Sequence, residues 1–234
     1  LDKLFEYMGN NQTLGIPSTG YEEEINKIQA KDLYEYLQKC IHEDEKHLYV
    51  VGDIQEEDVE LFKKYLKFPQ NSNHYESSYI FEDDRKDVLE IIEKQDITQS
   101  KLNMGYRIDC DFIHENHYAF TVFNALFGGY SQSRLFKVVR EENSLCYYVS
   151  SSYDAFNGVM LVNAGIEAND YAKTRELIKM QLEDIQAGHL DENEITVAKI
   201  MLQNSLKKTN DEAMSMMSLA YNRDITNKKE TNDE

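Results

Sequence analysis

The apolar positions change period several times along the chain, and each change marks a new element. In KDLYEYLQKCI, Leu33, Tyr34, Leu37 and Ile41 recur at helical spacing, which predicts an amphipathic helix over residues 30–41. HLYVVGDI is a short β-branched run reaching Gly52 and Asp53, and predicts a buried strand. IQEEDVELFKKYLKF then sets Glu56, Glu57 and Asp58 in a first helical turn, where negative charge opposes the helix dipole. Val59, Leu61, Phe62, Tyr65 and Leu66 form its apolar face, and Pro69 ends the unit.

Residues 70–86 are polar without a clear period and predict a surface linker. Beyond it VLEIIEKQ reads as a strand, and QSKLNMGYRID alternates with Leu102, Met104, Tyr106 and Ile108 on one side. HYAFTVFNALFGGY predicts an apolar helix stopped by Gly128 and Gly129, and SQSRLFKVVREEN a second helix with Ser131 as its cap. CYYVSSSYDAFNGVMLVNAGIE reads as two strands around a turn at Asp154 to Gly158, a hairpin. YAKTRELIKMQLEDIQAG and DENEITVAKIMLQNSLKKTNDEAMSMMSLAYNRDI predict two long helices, the first stopped by Gly188. Asp191 and Glu194 have the spacing of a capping box, and the charged tail NKKETNDE frays. Together these predict an α+β fold, a mixed β-sheet with helices packed on one face. The expected organisation is a unit over 1–69, a linker over 70–86 and a second unit over 87–234.

Charge removes whole classes of partner. With 43 acidic and 25 basic residues among 234, the net charge of -18 repels phosphate backbones and anionic lipid, so neither nucleic acid nor membrane is an expected partner. No apolar run approaches the roughly 18 residues a spanning helix needs. Cys40, Cys110 and Cys146 are widely spaced and odd in number, which argues against a disulfide framework and for a reducing, cytoplasmic location. LDKLFEYMGN opens without Met, so the sequence reads as part of a longer chain.

HEDEKH comes within one letter of two zinc signatures. His42 and Glu43 fit H-E-x-x-H and His42 and Glu45 fit H-x-x-E-H, but Lys46 stands where the second histidine belongs in both. His47, five positions from His42, lies about 140° around a helix, so the rings diverge. The stretch is expected to be a charged helix-to-strand loop. In CDFIHENH, Cys110, His114 and His117 could be ligands, with Asp109 and Asp111 needed to complete a set. A polar connection with surface histidines accounts for them as well. SSSY at 150–153 lacks a G-x-S-x-G frame, and the Gly128–Gly129 pair lacks a phosphate-loop context.

The most informative segment is SQSRLFKVVREENSLCYYVSSSY. Arg140 ends a helix and Tyr147 opens a strand seven residues later, so a guanidinium and a phenol can converge at one corner as donors to carbonyls or a developing oxyanion. Strand alternation puts Tyr147, Val149 and Ser151 on one face and Cys146, Tyr148 and Ser150 on the other. The same residues also read simply as a helix-end cation followed by strand aromatics.

At this segment the chain resembles the pitrilysin/insulinase family of zinc metallopeptidases, which includes the mitochondrial processing peptidases. The family's second domain carries an S-R-L-F helix, then R-E, and a Tyr seven residues after that Arg; SRLFKVVREENSLCYYVSSS matches it. QSKLNMGYRI is similar to that domain's opening strand, NALFGGYSQSRLF to its I-L-G-G-x-x-S-R-L-F stretch and DENEITVAKIMLQNSL to its E-L-x-x-A-K helix. Residues 14–68 resemble the close of the preceding domain. The resemblance implies a fragment: the end of a first peptidase-like domain over 1–69 and a second, truncated one over 87–234. Bacterial members known as inactive metalloproteases are the most similar in wording around S-L-C-Y-Y-V.

In the family two halves close as a clamshell around zinc held by an H-x-x-E-H helix, which this chain lacks. The resemblance implies that Arg140 and Tyr147 are the catalytic and substrate-binding residues contributed by the second half, and that no residue here binds metal. Zinc is then the family's cofactor rather than this fragment's. Peptide or unfolded polypeptide is the implied substrate, and a homo- or heterodimer with a homologous peptidase subunit the implied assembly. Two readings follow: a metalloendopeptidase subunit holding substrate for a zinc-bearing domain, or a non-catalytic peptide-binding or structural partner of an active homologue.

Overall fold

The computed structural model describes residues 1–9, 12–69 and 87–227; the expected linker at 70–86 and tail residues 228–234 lie outside them. In chain order the helices and strands are α1 (Asp2–Gly9), α2 (Glu22–Ile25), α3 (Ala30–Glu43), α4 (Glu56–Tyr65), β1 (Ser100–Arg107), α5 (His117–Asn124), β2 (Cys146–Asp154), β3 (Val159–Ile166), α6 (Tyr171–Gln186), α7 (Glu192–Thr209) and α8 (Ala213–Thr226). α5 continues into a π-helical turn, Ala125–Gly129, and a second π-helical stretch spans Phe136–Glu142. The chain divides into two compact units, one of described residues up to 16 with 87–205, the other of 17–69 with 206–227.

The first unit is α+β. Its sheet has the order β1-β3-β2, and both pairings are antiparallel; the parallel pairing a mixed sheet would need is not among the described residues. Central β3 is buried at every residue but Asn163, as a strand paired on both edges and covered on its faces should be. Leu102 of β1, Val149 of β2 and Met160, Val162, Ala164 and Ile166 of β3 meet Phe127, Leu135, Val139 and Ile178, with Met104, Tyr106 and Ile108 packed against them, so the alternation expected of β1 holds. α7 joins this layer through Ala198, which packs on Ala125 and Leu126. On the other face α1 approaches β1 at Gly105, where a Cβ would lie 2.1 Å from Met8 Sδ. The hairpin closes as expected: Asp154 Oδ1 accepts the N–H groups of Phe156 (2.9 Å) and Asn157 (3.1 Å), and Gly158 takes a φ of +59°.

A buried guanidinium ties the helices of this layer together. Arg134 Nε donates to both carboxylate oxygens of Glu194 at 3.0 Å, its other nitrogens reach Asp184 Oδ2 (2.8 Å) and Glu194 Oε2 (2.6 Å), and one also donates to the His189 carbonyl. Glu194 is thereby drawn from the capping box expected of it, leaving only a 3.4 Å contact to the Asp191 N–H. Gly188, at φ +82°, makes the turn that brings Asp184 and Glu194 together.

Several local expectations are corrected. The helix cap is Ser133, whose Oγ accepts the Phe136 N–H at 3.4 Å, rather than Ser131. The single helix expected from Asp191 onward breaks between Thr209 and Ala213, where Asn210, Asp211 and Glu212 donate to carbonyls three residues back and tighten the turn. Gly128 is more than a helix stop: a Cβ there would lie 2.6 Å from the Ser151 backbone nitrogen. Residues 88–95 and 47–54 form no strand, because their β-branched residues favour extended backbone but find no ladder partner among the described residues. Leu48, Val50, Val51 and Ile54 are exposed accordingly.

In the second unit α3 and α4 each start in a reciprocal box, Gln29 N–H to Asp32 Oδ2 (2.9 Å) and Gln55 N–H to Asp58 Oδ2 (3.0 Å). The Tyr49 hydroxyl donates to Asp224 Oδ2 at 2.5 Å, a bond that pushes the phenol up to about 12.

Two stability effects follow. Phe127, fully buried and stacked on Phe123 at 5.5 Å, should cost about 3–5 kcal/mol when truncated in Phe127→Ala, read by urea denaturation with circular dichroism. The Asp184 carboxyl is held below its ordinary range first by its hydrogen bond to His189 and then by Arg134. A depressed carboxyl stabilises above its unfolded pKa and loses that contribution as pH falls through the folded one. The melting temperature of Asp184→Asn should therefore lie below wild type at neutral pH, with the gap closing below about pH 4.

Candidate functional site

The segment between Ser133 and Tyr148 carries one irregularity in its helix and one in its strand. Leu135 and Val139 are fully buried and anchor the helical stretch on the sheet. Over Phe136–Glu142 the backbone bonds run one residue further than in an α-helix, so the residues after Val139 are turned from their α-helical phase. The stretch ends at Ser144, whose φ of 52° is left-handed; its N–H donates to the Arg140 carbonyl (3.1 Å) and that of Leu145 to the Val139 carbonyl (3.0 Å). A serine there costs about 1 kcal/mol, which these bonds and the burial of Leu145 offset.

At the start of β2 the register slips. Cys146 pairs with Ile166 and Tyr148 with Gly165, so Tyr147 is the extra residue of a β-bulge. Simple alternation would place Tyr147 inward with Val149 and Ser151. Those two are buried as expected, but the bulge turns Tyr147 out, 59% exposed, and Cys146 packs against the core instead. Tyr148 covers Gly165, where a Cβ would meet its ring at 2.4 Å.

Arg140, Ser144, Cys146, Tyr147, Glu167 and Asp170 line one open depression of about 380 Å³. The Arg140 guanidinium lies over the Phe136 ring, 4.5 Å from its centre, and has no carboxylate partner among the described residues. The Tyr147 hydroxyl donates to Glu167 Oε1 at 2.5 Å, which raises the phenol pKa. Burial raises the Cys146 thiol, with Arg140 acting against it. The structure therefore brings a guanidinium and a phenol, both hydrogen-bond donors, into one groove where carbonyl oxygens could be held. Glu167 and Asp170 carry no signal in the sequence, where GIE reads as an ordinary strand end; the β2–β3 register and the turn that follows β3 bring them to the Tyr147 depression.

The other candidates resolve into packing. His42 and Glu43 lie in the last turn of α3, Lys46 Nζ donates to the Asp44 carbonyl (2.5 Å), and His47 stacks on Tyr49. His117, expected at the surface, is buried, because Phe112, Tyr118 and Tyr153 enclose its ring. His114 Nδ1 accepts the Asn116 N–H at 3.1 Å. Ser151 Oγ donates to Asn124 Oδ1 at 2.8 Å, fixing β2 to the end of α5. Among the described residues no three His, Cys, Asp or Glu side chains converge as metal ligands, and no helix is long and apolar enough to cross a membrane.

Comparison with known proteins supplies the context. Residues 27–202 match the family model of the peptidase M16 inactive domain. The Probable inactive metalloprotease YmfF of Bacillus subtilis (strain 168) is 32% identical over 221 residues, 94% of this chain and 51% of its own length. The Uncharacterized zinc protease YmxG of the same organism is 25% identical over 222 residues, 93% of this chain and 53% of its own length. Among solved structures, a conserved protein from Enterococcus faecalis V583 superposes with a TM-score of 0.82 at 31% identity, over 98% of this chain and 54% of its own. A peptidase M16 inactive domain from Pseudomonas fluorescens shares the fold at a TM-score of 0.67 and 18% identity, over 86% of this chain and 49% of its own. The chain spans about half the length of the curated relatives it matches. The chain belongs to the peptidase M16 inactive-domain family.

Proposed function

We propose that this chain is the substrate-holding half of an M16-type peptidase assembly, which binds extended or unfolded polypeptide in the groove of Arg140 and Tyr147. The observation that carries this reading is the shared groove: each residue sits on the one irregular stretch of its element, and both present donors to the same space. Irregular turns and bulges aim side chains at functional sites more often than regular elements do. The Arg140 guanidinium and the Tyr147 hydroxyl would hold successive backbone carbonyls and fix the polypeptide's position.

Zinc chemistry is not assigned to these residues, since the described side chains do not form a ligand set. Metal and water activation would come from another domain of the full-length protein or from a homologous subunit in a homo- or heterodimer. Residues 17–69 would belong to a first peptidase-like domain and residues 87–205 to a second; the compact units depart from the expected 1–69 and 87–234 division in grouping residues up to 16 with the latter and 206–227 with the former. A cytoplasmic location fits the three cysteines, none of which forms a disulfide. A second reading, a non-catalytic peptide-binding or structural partner, draws support from the name of the inactive relative.

Cleavage of a quenched-fluorescent unfolded polypeptide by the full-length protein with its homologous peptidase subunit tests the reading. Arg140→Ala and Tyr147→Phe should each lower kcat/KM roughly ten- to hundredfold. Unchanged turnover in both variants would remove the holding role. Polypeptide binding that is sensitive to both substitutions, with neither zinc nor turnover in the assembly, would select the non-catalytic reading.

A further inference from the structure

The one acceptor already bonded to Tyr147 competes with the polypeptide for it. A phenol has a single proton to donate, and Glu167 Oε1 takes it at 2.5 Å. A bond to a carboxylate is about twice as strong as one to a neutral carbonyl, so a peptide oxygen cannot displace Glu167 without cost. The pairing is built into the sheet. Glu167 directly follows Ile166, the last residue of β3, and Ile166 is locked in register with Cys146, the neighbour of Tyr147. Ile166 is buried, 1% exposed, so this end of β3 is held in place while the Glu167 side chain stands in solvent.

We propose that Glu167 is a latch on Tyr147, holding the phenol in the groove until a polypeptide carbonyl displaces it and so setting the affinity of the site. This deepens, and rests on, the reading of the groove as a polypeptide site. Exposure makes the latch releasable, because the freed carboxylate passes into water rather than remaining buried. The same bond keeps the phenol protonated and turned toward the depression that Arg140 also lines. Glu167 is thus a positioning residue that acts through Tyr147.

The test uses the full-length protein and a fluorescein-labelled, uncharged Gly-Ala-Ser peptide followed by anisotropy. An exposed hydrogen bond contributes modestly, so Glu167→Gln, whose amide oxygen is the weaker acceptor, should bind the peptide about two- to fivefold more tightly. Adding Glu167→Gln to Tyr147→Phe should change nothing further. Tyr147, followed by ring NMR, should ionise at lower pH in Glu167→Gln than in wild type. If neither affinity nor Tyr147 ionisation responds to Glu167→Gln while Arg140→Ala weakens binding, the latch is overturned and the groove reading stands. If the wild type and Arg140→Ala are alike in failing to hold the peptide, the groove reading falls and the latch with it.

Discussion

The buried Arg134 guanidinium is the contact on which the corner of Arg140 and Tyr147 depends. Taking that charge out of water costs several kcal/mol unless its donors are matched, and Glu194, Asp184 and the His189 carbonyl supply acceptors to its nitrogens. These bonds tie the helical stretch to the α6–α7 turn. Leu135 and Val139 then press that stretch onto the sheet, and the chain must reach β2 within the few residues from Arg140 to Cys146. Arg140, six residues after Arg134, shows the same side chain in the opposite setting, resting on an aromatic face and exposed to the groove.

Given that anchor, two insertions do the aiming. A regular α-helix through residues 136–142 would phase Arg140 differently, and a regular strand would bury Tyr147 beside Val149. The π-helical stretch and the β-bulge each accommodate one residue too many, and each turns a donor outward. Ser144, left-handed between them, lets the chain reverse from helix to strand without lengthening the connection. Both irregularities present polar atoms to one depression.

This difference explains what the sequence could disclose. The alternation of Leu102, Met104 and Tyr106, the hairpin turn at Asp154 and Gly158 and the stop at Gly188 follow from local rules, because one face must be buried and certain φ values need glycine. The spacing of Arg140 and Tyr147 was legible too, through a resemblance carried by the S-R-L-F segment. The outward turn of Tyr147 was not, since a bulge leaves no period-two signature. Arg134 with Glu194, sixty positions apart, and Tyr147 with Glu167 are products of register and packing. The β-branched runs at 47–54 and 88–95 are the reverse case, in which a local preference for extended backbone exists without a ladder partner among the described residues.

The groove's phenol responds to pH in a particular way. Tyr147 has its pKa raised by the carboxylate it bonds. It therefore keeps its proton across the neutral range and further on the alkaline side than a free phenol. A surface of net charge -18 would draw basic groups generally and hold none in particular. Under the proposed reading the groove would instead recognise a polypeptide through backbone carbonyls, which every sequence has, once the Tyr147 phenol is released from Glu167.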